Sequence, residues 1–453
     1  MLNSLVSFLV ALGILVFIHE WGHYAVARYC GVQVMRFSVG FGRPLFRWVS
    51  RKTGVEWVVS WIPLGGYVRM LDERDPESLT GAQAVDLDRA FNRKPVGHRF
   101  AIVLAGPVAN LLLAGFLYAL LNYSQPGGVA TTVASPSPGS FAEQMGLRAQ
   151  DRIQSVNGQS TPNWGEVSWA LLKAKLFSQG LVLTIERNGS VISLQAPSNA
   201  PLPGDIGPTL NRDLGLMPFE RKVLVGSVAQ GSPAEKAGFQ RQDQLLTVDH
   251  VPVQSAAQFT RLIQDRPARE VQIELIRGNE TITVTATPEA VASNGPGGTN
   301  TKAMIGRLGL GIGGQPDWVE HPRNALSAIQ SGFGRMVEVS VFSLAALVKM
   351  IMGELSVEHL SGPVSIAAAA GESSSLGILP FIAFLAMVSV SLGVLNLLPI
   401  PLLDGGHLMY YLAEIVRGKP VSEQVQMWGQ KIGMTVIALL TSVALFNDIH
   451  RLL

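Results

Sequence analysis

Four long apolar stretches interrupt an otherwise mixed pattern of polar and apolar positions. They cover residues 1–27, 100–122, 376–403 and 431–447. Because about 20 apolar residues suffice to cross a bilayer as a helix, the pattern predicts a polytopic α-helical membrane protein with four transmembrane helices. The fourth stretch is short for a span, so its helix must either extend toward Trp428 or tolerate a thinner bilayer.

A fifth stretch, residues 320–353, is only partly apolar. It carries Arg335, Glu338 and Lys349, and three charges are costly in a span that faces lipid. The pattern therefore predicts an amphipathic helix that lies on the membrane surface rather than crossing it.

Between the second and third spans, short alternating strands, turns and helix-like stretches replace the long apolar runs, and this pattern occurs twice. Asp151 and Asp243 occupy equivalent places in the two copies, and each copy closes with Leu-Gly-Leu. Units of about 90 residues can each bury a modest core. The repeat predicts two tandem α+β domains, residues 127–219 and 220–314.

The second copy, with Ser-Pro-Ala-Glu-Lys-Ala-Gly from Ser232 and a strand after Asp243, resembles bacterial PDZ domains. The first copy matches less well, because residues 145–147 (Met-Gly-Leu) stand where the second has residues 237–239 (Ala-Gly-Phe). The resemblance implies peptide binding by strand addition at a sheet edge. The alternative is that both copies are packing modules with closed grooves.

Composition narrows the class of protein. Only 15% of the residues are charged and 47% are hydrophobic, whereas soluble proteins carry about 25% charged residues. This balance argues against a disordered chain, a nucleic-acid-binding protein and a wholly soluble enzyme. Cys30 is the one cysteine, so an intramolecular disulfide and a cysteine-based zinc site are excluded.

The distribution of basic residues predicts the orientation in the membrane. Twelve Lys and Arg residues lie between Tyr24 and Phe100, which places the loop of residues 28–99 in the cytoplasm. Both termini and both PDZ-like repeats are then periplasmic, as in a multi-pass bacterial inner-membrane protein. The first apolar run has no positive n-region and contains a polar cluster, so we interpret it as an uncleaved helix rather than a signal peptide.

The cytoplasmic loop contains a predicted β-hairpin. Its strands would be residues 55–60 and 66–70, with Pro-Leu-Gly-Gly at the turn. Trp57, Trp61 and Ile62 make the hairpin apolar, which suggests that it associates with the membrane. The alternative is an ordinary surface hairpin.

The polar cluster in the first span is His-Glu-Trp-Gly-His, an H-E-x-x-H motif. His19 and His23 are four residues apart and share one helix face, so their imidazoles can converge on one metal ion. Zinc in such a site takes a third protein ligand and activates a water molecule, and Glu20 would act as the general base. The alternative is that the histidines are hydrogen-bonded packing residues, which would be costly in a bilayer.

Asp404 is the candidate third ligand, because it is the acidic residue at the end of the third span. With four spans, the first and third helices run in the same direction, so His19 and Asp404 reach the same depth near the cytoplasmic face. Pro399 and Pro401 should break the helix just before Asp404. His407 is a rival ligand, and a plain helix cap is the alternative role of Asp404.

Together, HEWGH, the segment NLLPIPLLDGGH and the PDZ-like repeats between the second and third spans resemble the site-2 protease family of intramembrane zinc metalloproteases. Further matching segments are FSVGFGRPLFR, IPLGGYVRMLDER, AGPVANLLLA, HLSGPVSIA and ALFND. The resemblance implies Zn²⁺ held by His19, His23 and Asp404, with Glu20 as catalytic base. It also implies that Asn396 contacts the substrate or transition state, and that the hairpin clamps an unwound substrate.

The expected function is a zinc metalloendopeptidase that cuts single-span membrane proteins within the bilayer. The resemblance implies a membrane-bound anti-sigma factor and remnant signal peptides as substrates, and an extracytoplasmic stress response as the outcome. The PDZ-like units would act as a size filter or would recognise a new C-terminus. The rivals are a non-enzymatic scaffold with a vestigial metal site and a metal transporter.

Overall fold

A computed structural model describes residues 2–74, 87–125, 127–196, 202–207, 209–294, 302–320 and 324–452. The chain forms two compact units. The membrane unit comprises Met1–Gln125 and Arg323–Leu453, and the β-rich unit comprises Pro126–Pro322.

The N-terminal part of the membrane unit contains two long helices on either side of a β-structure. The elements are α1 (Leu2–Tyr29), β1 (Val34–Val49), β2 (Glu56–Met70) and α2 (Val96–Ser124). Both helices extend slightly beyond the predicted apolar runs, because helical hydrogen bonding does not stop where the hydropathy falls.

The hairpin between α1 and α2 differs from the sequence prediction. The two strands are β1 and β2 themselves, and the Pro-Leu-Gly-Gly segment is a bend inside β2. Val39 pairs with both Val59 and Gly66, and residues 44–49 pair with residues 56–60. The two halves of β1 and the two halves of β2 therefore form four short strands side by side. Arg36, Arg43 and Arg47 mask the strand pattern of β1, although Arg36 and Arg47 pair with Glu56.

The first half of the β-rich unit is a four-stranded sheet with a helix packed on it. The sheet order is β5-β4-β6-β7, and the side chains of its core come from both the sheet and α4. The elements are β3 (Gly127–Val129), α3 (Phe141–Gln144), β4 (Arg152–Val156), β5 (Gln159–Ser160), α4 (Trp164–Leu176), β6 (Val182–Arg187), β7 (Ser190–Gln195) and α5 (Leu210–Asp213).

The second half repeats this plan with a larger sheet, in the order β12-β11-β9-β8-β15 with β10 paired to β9, and with its own core. The elements are β8 (Glu220–Val228), α6 (Pro233–Lys236), β9 (Gln244–Val248), β10 (Val251–Pro252), α7 (Ala256–Gln264), β11 (Val271–Arg277), β12 (Glu280–Ala286), β13 (Glu289–Asn294), β14 (Lys302–Arg307), β15 (Leu310–Pro316) and β16 (Trp318–Glu320).

The aligned aspartates occupy equivalent positions in the two halves. Asp151 is 1% exposed and accepts hydrogen bonds from the Nε and Nη2 of Arg187, both at 2.7 Å. Asp243, also 1% exposed, accepts the same pair of bonds from Arg277 at 2.8 and 2.7 Å. The side-chain hydrogen bonds to the aspartates raise the pKa of both guanidinium groups.

The described C-terminal part of the membrane unit contains five α-helices and a short 3-10 helix, Val357–His359. The α-helices are α8 (Ala325–Ile351), α9 (Pro363–Leu376), α10 (Ile378–Asn396), α11 (Asp404–Arg417) and α12 (Glu423–Leu452). Within the described residues, four helices are long and apolar enough to cross a membrane, namely α1, α2, α10 and α12. The helix α12 begins before Trp428, in agreement with the first of the two predicted alternatives.

The predicted third span is wrong in its bounds. Its helix covers only Ile378–Asn396, and the residues before and after it belong to other elements. Gly377 has a φ of 122°, which separates α9 from α10. The prolines end α10 before Asp404, as expected, and Asp404 is the first residue of α11.

The partly charged stretch forms α8, which is not among the candidate spans. It packs closely on α2, because a Cβ added at Gly332 would lie 2.4 Å from the backbone of Ala119, and one at Gly115 would lie 2.8 Å from Phe333. The helix also leaves an exposed apolar stripe of Val337, Val341, Leu344 and Val348.

Candidate metal centre

Two glycines bring α1 and α2 into unusually close contact at the H-E-x-x-H motif. A Cβ at Gly22 would lie 2.3 Å from the carbonyl oxygen of Ala105, and a Cβ at Gly106 would lie 2.3 Å from His23 Nε2 and 2.9 Å from His19 Cε1. The backbone at Gly106 therefore forms one wall of the site. The side chain of any other residue at this position would occupy the space of the two imidazoles.

His19, His23 and Asp404 converge, so the structure brings together the three ligands suggested by the sequence. His19 Nε2 lies 3.1 Å from Asp404 Oδ2, His23 Nε2 lies 3.5 Å from the same oxygen, and the two Nε2 atoms are 3.2 Å apart. The ligands of a tetrahedral zinc with bonds of about 2.05 Å are separated by about 3.3 Å. The three atoms thus have the spacing of one face of a zinc tetrahedron.

The hydrogen bonds of the two imidazoles direct their Nε2 atoms to this face. His23 Nδ1 donates to the carbonyl oxygen of Ile102 at 2.8 Å, which leaves Nε2 free to bind a metal. The Asn110 amide lies 3.3 Å from His19 Nδ1. When the amide is oriented with its oxygen toward that nitrogen, Asn110 Oδ1 accepts the Nδ1 proton of His19. This orientation gives Asn110 Oδ1 the hydrogen-bond partner that it otherwise lacks among the described residues.

Asp404 reaches the site from an irregular segment after α10. Leu402 has a φ of 93°, which is strained for a non-glycine residue. No backbone N–H of a described residue donates to the Asp404 side chain, and its buried Oδ2 has no hydrogen-bond donor. A buried carboxylate oxygen without a donor, facing two imidazole nitrogens, fits a metal ligand better than a helix cap. His407 lies outside this cluster.

Glu20 and Asn396 line one cavity together with the histidine at position 19. The cavity has a volume of about 540 Å³ and lies between α1, α9, α10 and the bend of β2. Glu20 is 7% exposed. Apart from these polar groups and Asn110, the described lining is largely apolar, with residues such as Leu15 and Ile366. A peptide with apolar side chains fits such a surface.

A strand edge passes beside Glu20. A Cβ at Gly66 in β2 would lie 2.9 Å from both Glu20 Cγ and Val16 Cγ1, and 2.7 Å from the carbonyl oxygen of Ser38. Residues 66–70 form an outer strand of the four-stranded arrangement, because among the described residues their pairing partners lie only in β1. The strand can therefore accept one more extended chain next to the site.

Sequence reasoning missed the residues that shape the site without carrying its chemistry. Gly22, Gly106 and Asn110 lie in or near segments that matched the family, but spacing alone assigned them no role. A glycine one position before the second histidine, and a glycine and an asparagine four residues apart in the next span, were the available signals.

Comparison with known proteins identifies the family. The model of peptidase family M50 matches residues 7–440.

The chain belongs to peptidase family M50. A protein from Neisseria meningitidis named as a zinc metalloprotease is 39% identical over all of both chains. The regulator of sigma-E protease RseP of Escherichia coli is 36% identical over 99% of both chains, and the corresponding protein of Haemophilus influenzae is 35% identical over 99% of both. This M50 member is thus a zinc metalloprotease, and its apolar helices and relatives indicate an inner-membrane protein.

Among solved structures, a PDZ domain of an SdrC-like protein from Listeria monocytogenes matches 18% of this chain and 85% of that chain. The sequences are 20% identical and the TM-score is 0.15. At that score the likeness carries no argument about the fold of the β-rich unit.

Proposed function

We propose that this protein is an intramembrane endopeptidase that cuts single-span membrane proteins, and that His19, His23 and Asp404 hold its zinc. The observation that carries the proposal is the triangle of ligand atoms at 3.1, 3.2 and 3.5 Å beside a buried glutamate. When bound, zinc supplies Lewis-acid activation of a water molecule and of the scissile carbonyl.

The residues of the chain supply the remaining chemistry. Glu20 takes a proton from the attacking water and passes it to the leaving amide nitrogen. Asn396, on the wall of the same cavity, is placed to donate a hydrogen bond to the substrate carbonyl as negative charge develops there.

The outer strand of β2 would hold the substrate extended. A transmembrane helix hides its amides in internal hydrogen bonds, so it must unwind before its backbone can be attacked. Pairing with residues 66–70 would replace some of these bonds. In this proposal the strand, Glu20 and the metal ligands lie near the cytoplasmic face, and α8 lies on the membrane surface.

A reconstitution tests this function. The wild type and Glu20→Gln are purified in detergent and given a single-span substrate that lacks its outer domain, and bound zinc and product are measured together. We expect about one zinc in both proteins and a loss of kcat of about 10²–10⁴ in the variant. If zinc is present but the wild type cuts no such substrate, the scaffold becomes the better account. Zinc uptake into vesicles would instead support a transporter.

By homology with RseP, the substrate class includes an anti-sigma factor that another protease has shortened, together with remnant signal peptides. The second half of the β-rich unit has features suited to recognising a new C-terminus. Its cavity of about 650 Å³ lies between α7, β15 and the β13–β14 pair of strands. Within the described chain, the N–H groups of Leu308 and Gly309 at the rim of this cavity donate to no acceptor. Free amides of this kind can bind a carboxylate.

The first half differs at the same place. There the N–H groups of Leu214, Gly215 and Leu216 donate to the carbonyl oxygens of α5, and the neighbouring cavity is only about 270 Å³. If the second groove recognises C-termini, Thr260→Arg on α7 should raise KM for substrates with a free apolar C-terminus. Amidated substrates should be unaffected. An equal change for both would favour the size-filter account.

A further inference from the structure

The last helix of the membrane unit carries a buried carboxylate that the proposed chemistry does not use. Asp448 on α12 is 1% exposed and lies against the first turn of α9. Its Oδ1 accepts hydrogen bonds from Gly362 N at 3.0 Å and Ser365 Oγ at 2.5 Å. Its Oδ2 accepts from Val364 N at 2.8 Å and Ser365 N at 3.2 Å.

These bonds satisfy a helix end that cannot cap itself. The first N–H groups of any helix lack partners within the helix, and an unpaired amide is costly where water is scarce. Gly362 precedes α9 and has no side chain to offer. It also has to be glycine, because a Cβ there would lie 2.4 Å from Asp448 Oδ2 and 2.8 Å from the carbonyl oxygen of Ala444. The carboxylate also suits the positive end of the helix dipole.

The neighbouring residue holds the chain just before α9. Asn447 Nδ2 donates to the carbonyl oxygens of Val357 at 2.7 Å and Leu360 at 3.2 Å. The adjacent pair Asn447 and Asp448 thus binds the whole segment from Val357 to Ser365. This gives a role to the two matching segments, HLSGPVSIA and ALFND, that the metal site leaves unexplained.

The helix held in this way is a wall of the active-site cavity. Pro363 and Ile366 line the cavity that also contains Glu20. Further along α9, Ala370 is fully buried in a cluster with Leu15 of α1. A displacement of the first turn of α9 would therefore change the width of the apolar cavity without touching a metal ligand.

We propose that Asp448 is a positioning residue for substrate binding, because it fixes the start of α9 and thereby one apolar wall of the cavity that Glu20 also lines. The role rests on the proposed endopeptidase function, but its effect on the wall can be observed without cleavage. Asp448 acts through α9 and touches neither substrate nor metal.

The test compares Asp448→Asn with the wild type in a Cys30→Ala background that carries one reporter cysteine. Ile366→Cys reports on the α9 wall, and Val388→Cys on α10 is the matched control in the same cavity. A small membrane-permeant thiol reagent measures the labelling rate. We expect Asp448→Asn to increase labelling at position 366 at least threefold and to leave position 388 unchanged. KM should rise about tenfold, with zinc content unchanged and kcat within threefold.

Unchanged labelling at position 366, equal increases at both positions, loss of zinc, or a fall in kcat at constant KM would each overturn the proposal. If Asp448→Asn does not fold, Ser365→Ala serves instead, since it removes one of the four donors. We then expect smaller changes of the same sign. The absence of any change in labelling or KM would overturn the proposal. Changed labelling at position 366 in an enzyme that cuts nothing would refute the endopeptidase function while leaving the positional effect intact.

Discussion

The membrane unit and the β-rich unit differ in how far apart along the chain their key interacting residues lie. The proposed metal centre joins His19 near the beginning of the chain to Asp404 near its end. Each half of the β-rich unit instead builds its central ion pair from residues 36 or 34 positions apart. One unit therefore depends on how distant helices approach each other, and the other depends on local pairing that the sequence repeats.

This difference decides which substitutions should matter. In the membrane unit, the close contacts are made by glycines, so the addition of one methyl group should be severe. In the β-rich unit, the equivalent sensitivity lies in Asp151 and Asp243, because each buried carboxylate accepts charge-assisted hydrogen bonds from a partly exposed arginine. Four predictions test the contrast, in order of decreasing effect.

Gly106→Ala should abolish zinc binding and proteolysis, because its Cβ would lie 2.3 Å from His23 Nε2. Bound zinc and product formation are the measurements. Gly13→Ala on α1 is the matched control, since its Cβ would meet no atom within 4 Å. Normal zinc content in Gly106→Ala would show that the helices do not meet at this site.

Asp243→Ala should destabilise the second half of the β-rich unit by about 3 kcal/mol, because it removes the buried carboxylate that accepts two charge-assisted hydrogen bonds from Arg277 and one from Gln240 N. Hydrogen exchange on the full chain should show faster exchange in β9 and β11, while zinc content stays the same. The control is Arg221→Ala, which breaks an exposed pair with Asp317 and should cost no more than about 1 kcal/mol. Exchange that rises equally in the membrane unit would contradict a local role for the Asp243–Arg277 pair.

Gly66→Ala should reduce kcat/KM about 100-fold, which corresponds to about 2.7 kcal/mol, with zinc retained. Its Cβ would displace Glu20 and the outer strand of β2. Gly97→Ala, at a position on α2 with open space around it, provides the comparison. An unchanged kcat/KM would remove this strand from the proposed substrate clamp.

Leu402→Gly should have the smallest effect, a stabilisation of about 1 kcal/mol. A leucine at a φ of 93° carries strain of about 1–3 kcal/mol. Glycine relieves this strain, but ordering its more flexible backbone on folding costs about 0.5–1 kcal/mol. The thermal unfolding midpoint of the membrane unit measures this change. A marked destabilisation would mean that the leucine side chain holds the segment before Asp404.

Several parts of the fold could be predicted because they are coded locally. The spans α1 and α2 follow from hydropathy, and the equivalence of Asp151 and Asp243 follows from alignment of the two repeats. The predicted hairpin and third span were less accurate. In β1 the arginines that pair with Glu56 hide the strand pattern, and at Gly377 a single positive φ divides one apolar run into two helices.

The sequence by itself determined the chemistry of this protein, because H-E-x-x-H spacing on a helix and a lone acidic residue after two prolines restrict the choice of ligands and base. Only the tertiary structure decided which backbone surfaces complete the site. Gly22 and Gly106 allow the close approach of α1 to α2, and Gly66 allows the strand to lie beside Glu20. Asp448 fixes the α9 wall of the cavity that Glu20 lines. Such close contacts depend on the absence of a side chain or on a partner far along the chain, and neither is visible in the periodicity of one segment.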